Sequence, residues 1–592
     1  MSAIEQQRGP QLNSQAYILP ITVGIALMGI LLRLWFLQIL QGEELGQQGL
    51  EGRTVSISVP PPRGEIVDRR GLALAGVKST LALMVTPGPI MDKPEIVGRL
   101  AQICSLDKAE LMGDIKENSY RRFLPFVAKL GITSEQAVAV EEQRAFLPGV
   151  FVRPESVRQY PFGPASAHVI GYVGVPNKED VRRLSEANRG LPSFVGKVGV
   201  ERVYDEALMG IAGKDWVEVD SRGSQLRAHN SDPPIPGSKV VLTIDLRLQK
   251  VAAELMAGRK GAVVALDPRS GEILCMVSGP SFDPNLFARR APRKQVQAIL
   301  RSELQPMHDR ASRSAYAPGS SFKIATLIGG IQTGTLTPTT SYHCAGGLRL
   351  GSRFFRCLGH HGTISYERAM EKSCNVFFAQ VGRRAQGEGM AKAAIGLGLG
   401  DKTGVDLLGE NPGIIPNEKW IKEHERTWYP GDAINMAVGQ GYVEATALQM
   451  ATYIATVASR GKRYRPHLLR STIPPGVEEK PIRSKPELLS EVELSDDWWD
   501  RIHRALTRVV QSGTARSAQI SGITVAGKTG SSEHRRGKSS HGWFVAFAPV
   551  EHPQIAIAVV LEAGGHGGSV AAPVARGVIE KYLRSRSQEA SR

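Results

Sequence analysis

No part of this chain repeats another, and no nucleic-acid-binding motif occurs in it. The first absence excludes a solenoid or a propeller. The second matters because 73 lysines and arginines stand against 57 acids, a formal charge of +16. Scattered and without such a motif, that charge reads as a basic surface facing an anionic lipid or polymer rather than as a nucleic-acid footprint. A removable leader is not expected either, since the apolar run is longer than a leader's core and no small-x-small site ends it before Gly42. Cysteine is sparse, with only five residues. What is present, 592 residues at 42% hydrophobic and 22% charged, is ordinary globular material, enough for two or more domains.

One segment departs from that composition. Tyr17 to Leu32 carries no charge, and the apolar run resumes after Arg33 as far as Leu40. Roughly 24 residues make about 36 Å of helix, which crosses a bilayer, and Arg33 near its end can snorkel to the interface. The preceding tail holds Arg8 and the free amine against Glu5, whereas Glu43, Glu44 and Glu51 follow the span. That asymmetry predicts the N-terminus inside and the bulk of the chain outside.

Chemistry enters at Ser320-Ser321-Phe322-Lys323, behind Ala317-Pro318-Gly319. A serine hydroxyl needs a neighbouring base to act as a nucleophile, and a lysine three residues on lies on the same helical face. Pro318-Gly319 break the chain just before the apolar run Phe322 to Ile331, which puts Ser320 in a first helical turn. Free N–H groups there favour developing negative charge. Lys323 accepts a proton only when uncharged, so burial or a cationic neighbour must lower its pKa; Lys528 is the neighbour the sequence offers. Ser373-Cys374-Asn375 follows, then Lys528-Thr529-Gly530 after Thr524-Val525-Ala526-Gly527, a strand edge where glycine lets a ligand approach the backbone. Ser373 can relay a proton, and the Asn375 amide can hold a substrate carbonyl or orient Lys323. Taken singly, Ser320 is also a helix cap, Asn375 a turn residue and Lys528 a solvated strand charge; their joint order carries the reading.

That ordered triplet resembles the serine transpeptidases of the penicillin-binding protein family. The resemblance covers nearly the whole chain. Arg33-Leu34-Trp35 and Pro62-Arg63-Gly64-Glu65-Ile66-Val67-Asp68-Arg69 are similar to the anchor and first pedestal strand of the class B proteins. Arg158-Gln159-Tyr160-Pro161 and Gly196-Lys197-Val198-Gly199-Val200-Glu201 are similar to their pedestal motifs. Gly439-Gln440-Gly441, His541-Gly542-Trp543-Phe544 and Glu562-Ala563-Gly564-Gly565-His566-Gly567-Gly568 extend the match, the last most like the elongation (penicillin-binding protein 2) type. The resemblance implies an α/β fold class: a single N-terminal transmembrane helix, a mixed α+β pedestal, then a transpeptidase domain with an antiparallel sheet flanked by helices. It implies a peptidoglycan D,D-transpeptidase for cell elongation, acylated on Ser320 and a β-lactam target, that needs no cofactor for its chemistry. Lys528, Thr529 and Gly530 would meet the substrate carboxylate, and the N–H groups of Ser320 and Ser531 would form the oxyanion hole. Implied partners are stem peptides, a membrane-embedded glycosyltransferase of the SEDS type and other elongation proteins reached through the pedestal, at the inner membrane with the bulk periplasmic. A division-type enzyme is the alternative, as is a β-lactam sensor or silent scaffold. The full triplet and the short tail before the span argue against the last two. Ser531-Ser532-Glu533 departs from the family's commoner Thr-Ala-Gln and leaves substrate details open.

The expected organisation is a cytoplasmic tail at 1–16, the transmembrane helix at 17–40, the pedestal at 41–236, the transpeptidase domain at 237–585 and a disordered tail at 586–592. Ser238 to Asp245 predicts a strand leading into a helix, and Gly261 to Asp267 with Glu272 to Val277 a hairpin. Gly542 to Ala548 and Gln554 to Glu562 read as the last strands, before a helix at Ala572 to Leu583. The basic clusters Arg289-Arg290 and Arg535-Arg536 with Lys538 read as solvated loop faces, the second at a hairpin tip beside the site.

Cys104 and Cys275 sit in apolar surroundings and read as buried hydrophobes. Cys344, Cys357 and Cys374 group instead with His360 and His361 in one loop-rich stretch. A Cys344 to Cys357 disulfide suits an exported domain and leaves Cys374 unpaired. The sharper reading is structural zinc, held by Cys344, Cys357, Cys374 and His361 as a closed tetrahedral set; resemblance to elongation-type relatives picks His361 over His360.

Overall fold

The computed structural model describes residues 15–42, 54–59, 61–122, 125–186, 194–219, 225–288, 291, 293–476, 482–532 and 539–590. Most of the N-terminal tail, the three glutamates after the span and the basic pairs at 289–290 and 535–538 lie outside the described residues.

Two compact units emerge, one of residues 1–60 with 212–234 and the other of 61–211 with 235–592. In the first, Gln15–Trp35 forms helix α1, which passes into a π-helical turn at Phe36–Leu40. The 23 residues Ile18–Leu40 are exposed and have a mean hydropathy of 2.1, long and apolar enough to cross a membrane. The same unit holds a three-stranded antiparallel sheet of Thr54–Val59, Gly213–Val219 and Gln225–Asp232.

The second unit begins with the pedestal. Ala73–Val85 pairs antiparallel with both Phe126–Leu130 and Val150–Gln159, and the helices Glu95–Ile103, Lys108–Glu117 and Ser134–Glu142 bury Val97, Leu100, Ile115 and Val140 in one small core with Leu83 and Val85. Asp107 caps the second of these helices by accepting from the Ala109 and Glu110 N–H groups. The three pedestal segments singled out in the sequence meet at one buried carboxylate. Glu201 receives Arg63 at 2.7 Å, Arg158 at 2.6 Å and the Tyr160 hydroxyl at 3.2 Å, and Arg63 also reaches Asp205 at 2.8 Å. No chain break separates pedestal and catalytic region at the expected 236/237 boundary. Lys239–Leu242 pairs parallel with Ile66–Val67 on one side and antiparallel with Leu469–Ile473 on the other, so one sheet holds strands of both. Arg69 to Glu272 at 2.7 Å and Arg70 to Asp245 at 3.2 Å strengthen that joint.

The catalytic region is built on five antiparallel strands. In chain order, β1 (Gly261–Leu266) and β2 (Ile273–Gly279) form the predicted hairpin. The small strands β3 (Gly347–Leu350) and β4 (Arg353–Arg356) pair with each other apart from the main sheet. Then come β5 (Ala526–Ser532), β6 (His541–Ala548) and β7 (Ile555–Leu561), and the main sheet runs β2-β1-β7-β6-β5. Its strands β1, β2, β6 and β7 are buried on both faces, which is why they read as continuous apolar runs rather than alternating ones. Ala447–Ala458 (α4) packs on this sheet, Lys323–Gln332 (α2) and Asn375–Gly396 (α3) pack on each other, and all three bury nearly all their apolar positions. Gly567–Ala590 (α5) closes the fold. It begins earlier than the predicted helix and runs through Ala590, so the tail expected to be disordered from 586 is helical that far, its Arg586 side chain bonded to the Tyr582 hydroxyl at 3.0 Å.

Candidate active site

Ser320 lies in a short 3-10 turn, Gly319–Phe322, whose last N–H, from Lys323, bonds to the Ser320 carbonyl before α2 begins. Gly319 has φ +55°, and a Cβ there would stand 2.5 Å from the Ser531 carbonyl. Only glycine therefore lets the serine turn lie against the β5 edge. Gly530 is closed from the other side, where a Cβ would meet the Pro318 carbonyl at 2.3 Å. The peptide groups of Ser320 and Ser531 are thus neighbours, as an oxyanion site formed by their N–H groups requires.

The turn is held from several directions. The Gly319 N–H bonds to the Gly439 carbonyl at 2.9 Å, which places the Gly439-Gln440-Gly441 motif beside the nucleophile. Trp543 Nε1 donates to the Ala317 carbonyl at 3.0 Å, and the Tyr453 hydroxyl donates to the Ser321 carbonyl at 3.1 Å.

Behind the serine two lysines converge on one hydroxyl. Lys323 Nζ donates to Ser373 Oγ at 3.1 Å, the Ser373 carbonyl at 2.8 Å and Asn375 Oδ1 at 2.7 Å. Lys528 Nζ donates to the same Ser373 Oγ at 3.1 Å and to the Thr529 carbonyl at 3.1 Å. Ser320 Oγ, half-exposed, makes no hydrogen bond to another described residue. The direct serine to lysine bond expected from the i+3 spacing is absent because Lys323 spends its donors on the Ser373 and Asn375 groups. Of the two roles open to Asn375, the structure displays the orientation of Lys323.

Both lysines are fully buried. Burial lowers the Lys323 pKa to about 7. Lys528 is driven well below its usual range by burial first and by the charge of Lys323 second. Of the two causes left open for the Lys323 shift, burial and a cationic neighbour, burial is the one that acts. Ser373 has φ +53°, a left-handed conformation uncommon outside glycine, at the junction that aims its hydroxyl between the lysines. The following Val376, Phe377 and Phe378 are buried as expected, and the Phe378 ring centroid lies 5.4 Å from Lys323 Nζ.

Thr529 is buried to 8% exposure and pairs through its hydroxyl with Thr514 Oγ1 at 2.7 Å. Sequence reasoning missed Thr514. It stands in Ser512-Gly513-Thr514 after the amphipathic helix Asp496–Gln511, a turn signal that carries no spacing rule to Thr529.

The cysteine and histidine loop abuts this site. All five cysteines are free thiols, so the Cys344 to Cys357 disulfide is not formed. The reason is visible in where the sulfurs point. Cys344, Cys357, Cys374 and His361 bring three sulfurs and Nδ1 within 4.8 Å of one another, with Cys344 Sγ 3.5 Å and Cys357 Sγ 3.6 Å from His361 Nδ1. His360 turns away and packs its ring over Gly346. Cys357 Sγ accepts from the Asn375 N–H at 3.3 Å, and the Arg356 carbonyl accepts from Asn375 Nδ2 at 3.1 Å. The Cys357 thiol is pulled down in pKa by the neighbouring Cys374 thiol and by backbone N–H groups.

Comparison with known proteins gives the same picture over most of the length. Residues 261–580 match the model of the penicillin binding protein transpeptidase domain, and 58–242 that of the penicillin-binding protein dimerisation domain. The peptidoglycan D,D-transpeptidase MrdA of Acinetobacter baumannii is 32% identical over 95% of this chain and 86% of its own. A complex of penicillin-binding protein PBP2 with MreC from Helicobacter pylori superposes with a TM-score of 0.76 at 26% identity, over 90% of this chain and 99% of that one. A structure described as the structural coordination of polymerization and crosslinking by a peptidoglycan synthase complex does so at 0.70 and 31% identity, over 96% and 98%.

Proposed function

The chain belongs to the penicillin-binding protein family of peptidoglycan transpeptidases, and from that premise we propose that Ser320 is its acylated nucleophile, served by Lys323, Ser373 and Lys528. The protein is a serine-type D,D-transpeptidase of the elongation type, an acyl-transfer enzyme. The observation that carries the assignment of roles is the convergence of two fully buried lysines on Ser373 Oγ beside a half-exposed serine.

Lys323, whose neutral form is well populated near pH 7, takes the Ser320 proton as Oγ attacks the penultimate D-alanine carbonyl of a stem peptide. The oxyanion rests on the Ser320 and Ser531 N–H groups. The bond to the terminal D-alanine nitrogen breaks, and the proton reaches that nitrogen through Ser373. An amine of a second stem peptide then attacks the acyl-enzyme, gives its proton back through the same groups and releases Ser320. Thr529, with Gly530 and Ser531 on the strand edge beside Lys528, receives the terminal carboxylate. β-Lactams acylate the same serine.

The same reading extends to a structural zinc. Four ligands about 2.3 Å from a tetrahedral centre stand about 3.8 Å apart. Cys357 and Cys374 sulfurs are 3.8 Å apart, the Cys344 and Cys357 sulfurs stand 3.5 and 3.6 Å from His361 Nδ1, and all four donors lie within 4.8 Å of one another. The donors fit the ion, which would tie the loop to the residue between Ser373 and Asn375 and take no part in acyl transfer.

We assign α1 as a single-pass anchor in the inner membrane, with the short N-terminal tail cytoplasmic and the bulk of the chain periplasmic. Partners follow from the relatives, one solved with MreC and one in a polymerising and crosslinking complex. The pedestal takes elongation proteins, and α1 with the pedestal meets a SEDS-type glycosyltransferase. Incubation of the protein with a donor pentapeptide and a D-amino acid acceptor tests the function: exchange exceeding hydrolysis supports it, and hydrolysis alone refutes transfer.

A further inference from the structure

The hairpin of β3 and β4 presents a face that nothing in the described chain covers. Its register sets Gly347 opposite Arg356 and Arg349 opposite Phe354, so these four share one face. The other face turns inward, with Leu348 against the main core and Phe355 beside Gly431. On the outward face Phe354 is 52% exposed between two exposed arginines. Its ring lies across Gly347, where a Cβ would meet Cζ at 2.1 Å, so the phenyl group is laid flat on the strand rather than free to turn away. Arg349 and Arg356 form no ion pair with any described residue, although the chain pairs many of its other surface arginines with acids.

The position of this face gives it a use. Its last residue offers its carbonyl to Asn375 Nδ2 at 3.1 Å, and the next, Cys357, receives the Asn375 N–H, so the strip ends at the catalytic groups. We infer that the Arg349, Phe354 and Arg356 strip docks the acceptor stem peptide, the strand whose amine takes the acyl group. This rests on the transpeptidase reading above. The donor carboxylate is already accounted for on β5, whereas the acceptor peptide brings carboxylates of its own and needs a separate recognition surface. Arginine forks suit carboxylates in bidentate pairs, and an exposed phenyl ring between them suits alanine methyl groups. Charge complementarity commits the face to this anionic peptide rather than to a neutral or basic partner.

The test uses the full chain acylated by a donor pentapeptide and two acceptors, a stem peptide with free carboxylates and the same peptide fully amidated. In Arg349→Glu combined with Arg356→Gln, the concentration of anionic acceptor that gives half-maximal transfer should rise by about tenfold or more. The amidated acceptor and acylation by a penicillin, which needs no acceptor, should each change by less than about twofold. Arg349→Glu alone, distant in register from Cys357, should give a several-fold part of the same shift, and Phe354→Ser should weaken both acceptors alike. An unchanged anionic acceptor would overturn the inference. So would equal losses for both acceptors in the charge variants, or loss of penicillin acylation in them, which would mean that the hairpin acts only by holding Asn375. A wild-type chain that no penicillin acylates would remove the transpeptidase reading itself, and this arm separates that failure from a failure of the strip.

Discussion

Lys528 Nζ stands 3.1 Å from Ser373 Oγ, although 155 positions separate them in the sequence. The contact gives the hydroxyl a second amine besides Lys323, the arrangement on which the proposed proton relay rests. Ser320→Ala should abolish covalent labelling by a fluorescent penicillin that survives denaturation. Lys323→Ala should slow labelling by about 10²- to 10⁴-fold with the melting temperature little changed. Undiminished labelling of Ser320→Ala would sink the assignment.

Acylation should also depend on pH in a defined direction. Burial lowers the Lys323 pKa to about 7, and only its neutral form accepts the serine proton. The rate of penicillin acylation should therefore fall as pH drops below about 7 and level off above it. An apparent pKa near that of a free lysine, about 10.4, would contradict the burial argument.

Metal content is checked on protein purified without a histidine tag. About one zinc per chain is expected, lost in Cys357→Ser. Chelation should slow acylation, because Cys374 lies between Ser373 and Asn375 and Cys357 accepts the Asn375 N–H. Absence of metal with all five thiols titrating would refute the site.

Glu201 is fully buried and accepts from Arg63, Arg158 and Tyr160. Glu201→Ala leaves Arg158 without its counter-charge and Arg63 with Asp205 alone, and breaking a buried pair from one side costs about 3–5 kcal/mol. Denaturant unfolding should show a loss of that order, and a loss below about 1 kcal/mol would mean that water or Asp205 takes over the arginines.

A chain beginning at Gly42 should remain soluble and bind penicillin, since the catalytic groups all lie in the unit that excludes α1. It should no longer copurify with the glycosyltransferase. Association at full strength would show that the membrane helix contributes nothing to the contact.

Much of the site was legible because its residues announce themselves by type and local spacing. Ser320 and Lys323 are close in sequence, Ser373 and Asn375 flank one residue, and Lys528 to Ser531 occupy one strand, so each group is a local pattern. Thr514 was not legible. Its link to Thr529 is a contact between a helix terminus and a strand, set by how the helix Asp496–Gln511 packs on β5. The length of α5 was misread for a similar reason, since charge and serine near Arg586 look solvated while the helix simply continues.

The sequence by itself determined which side chains the candidate site gathers, the apolar N-terminal helix, the hairpin at β1 and β2 and the members of the cysteine and histidine cluster, because residue type and periodicity act over a few positions. Tertiary structure decided how those groups are used. It sent Lys323 to Ser373 and Asn375 instead of Ser320, decided for burial between the two open causes of its lowered pKa, and turned Cys344 and Cys357 toward His361 instead of into a disulfide. Desolvation and the direction of a side chain are properties of packing among segments far apart in the chain, and no local pattern encodes them.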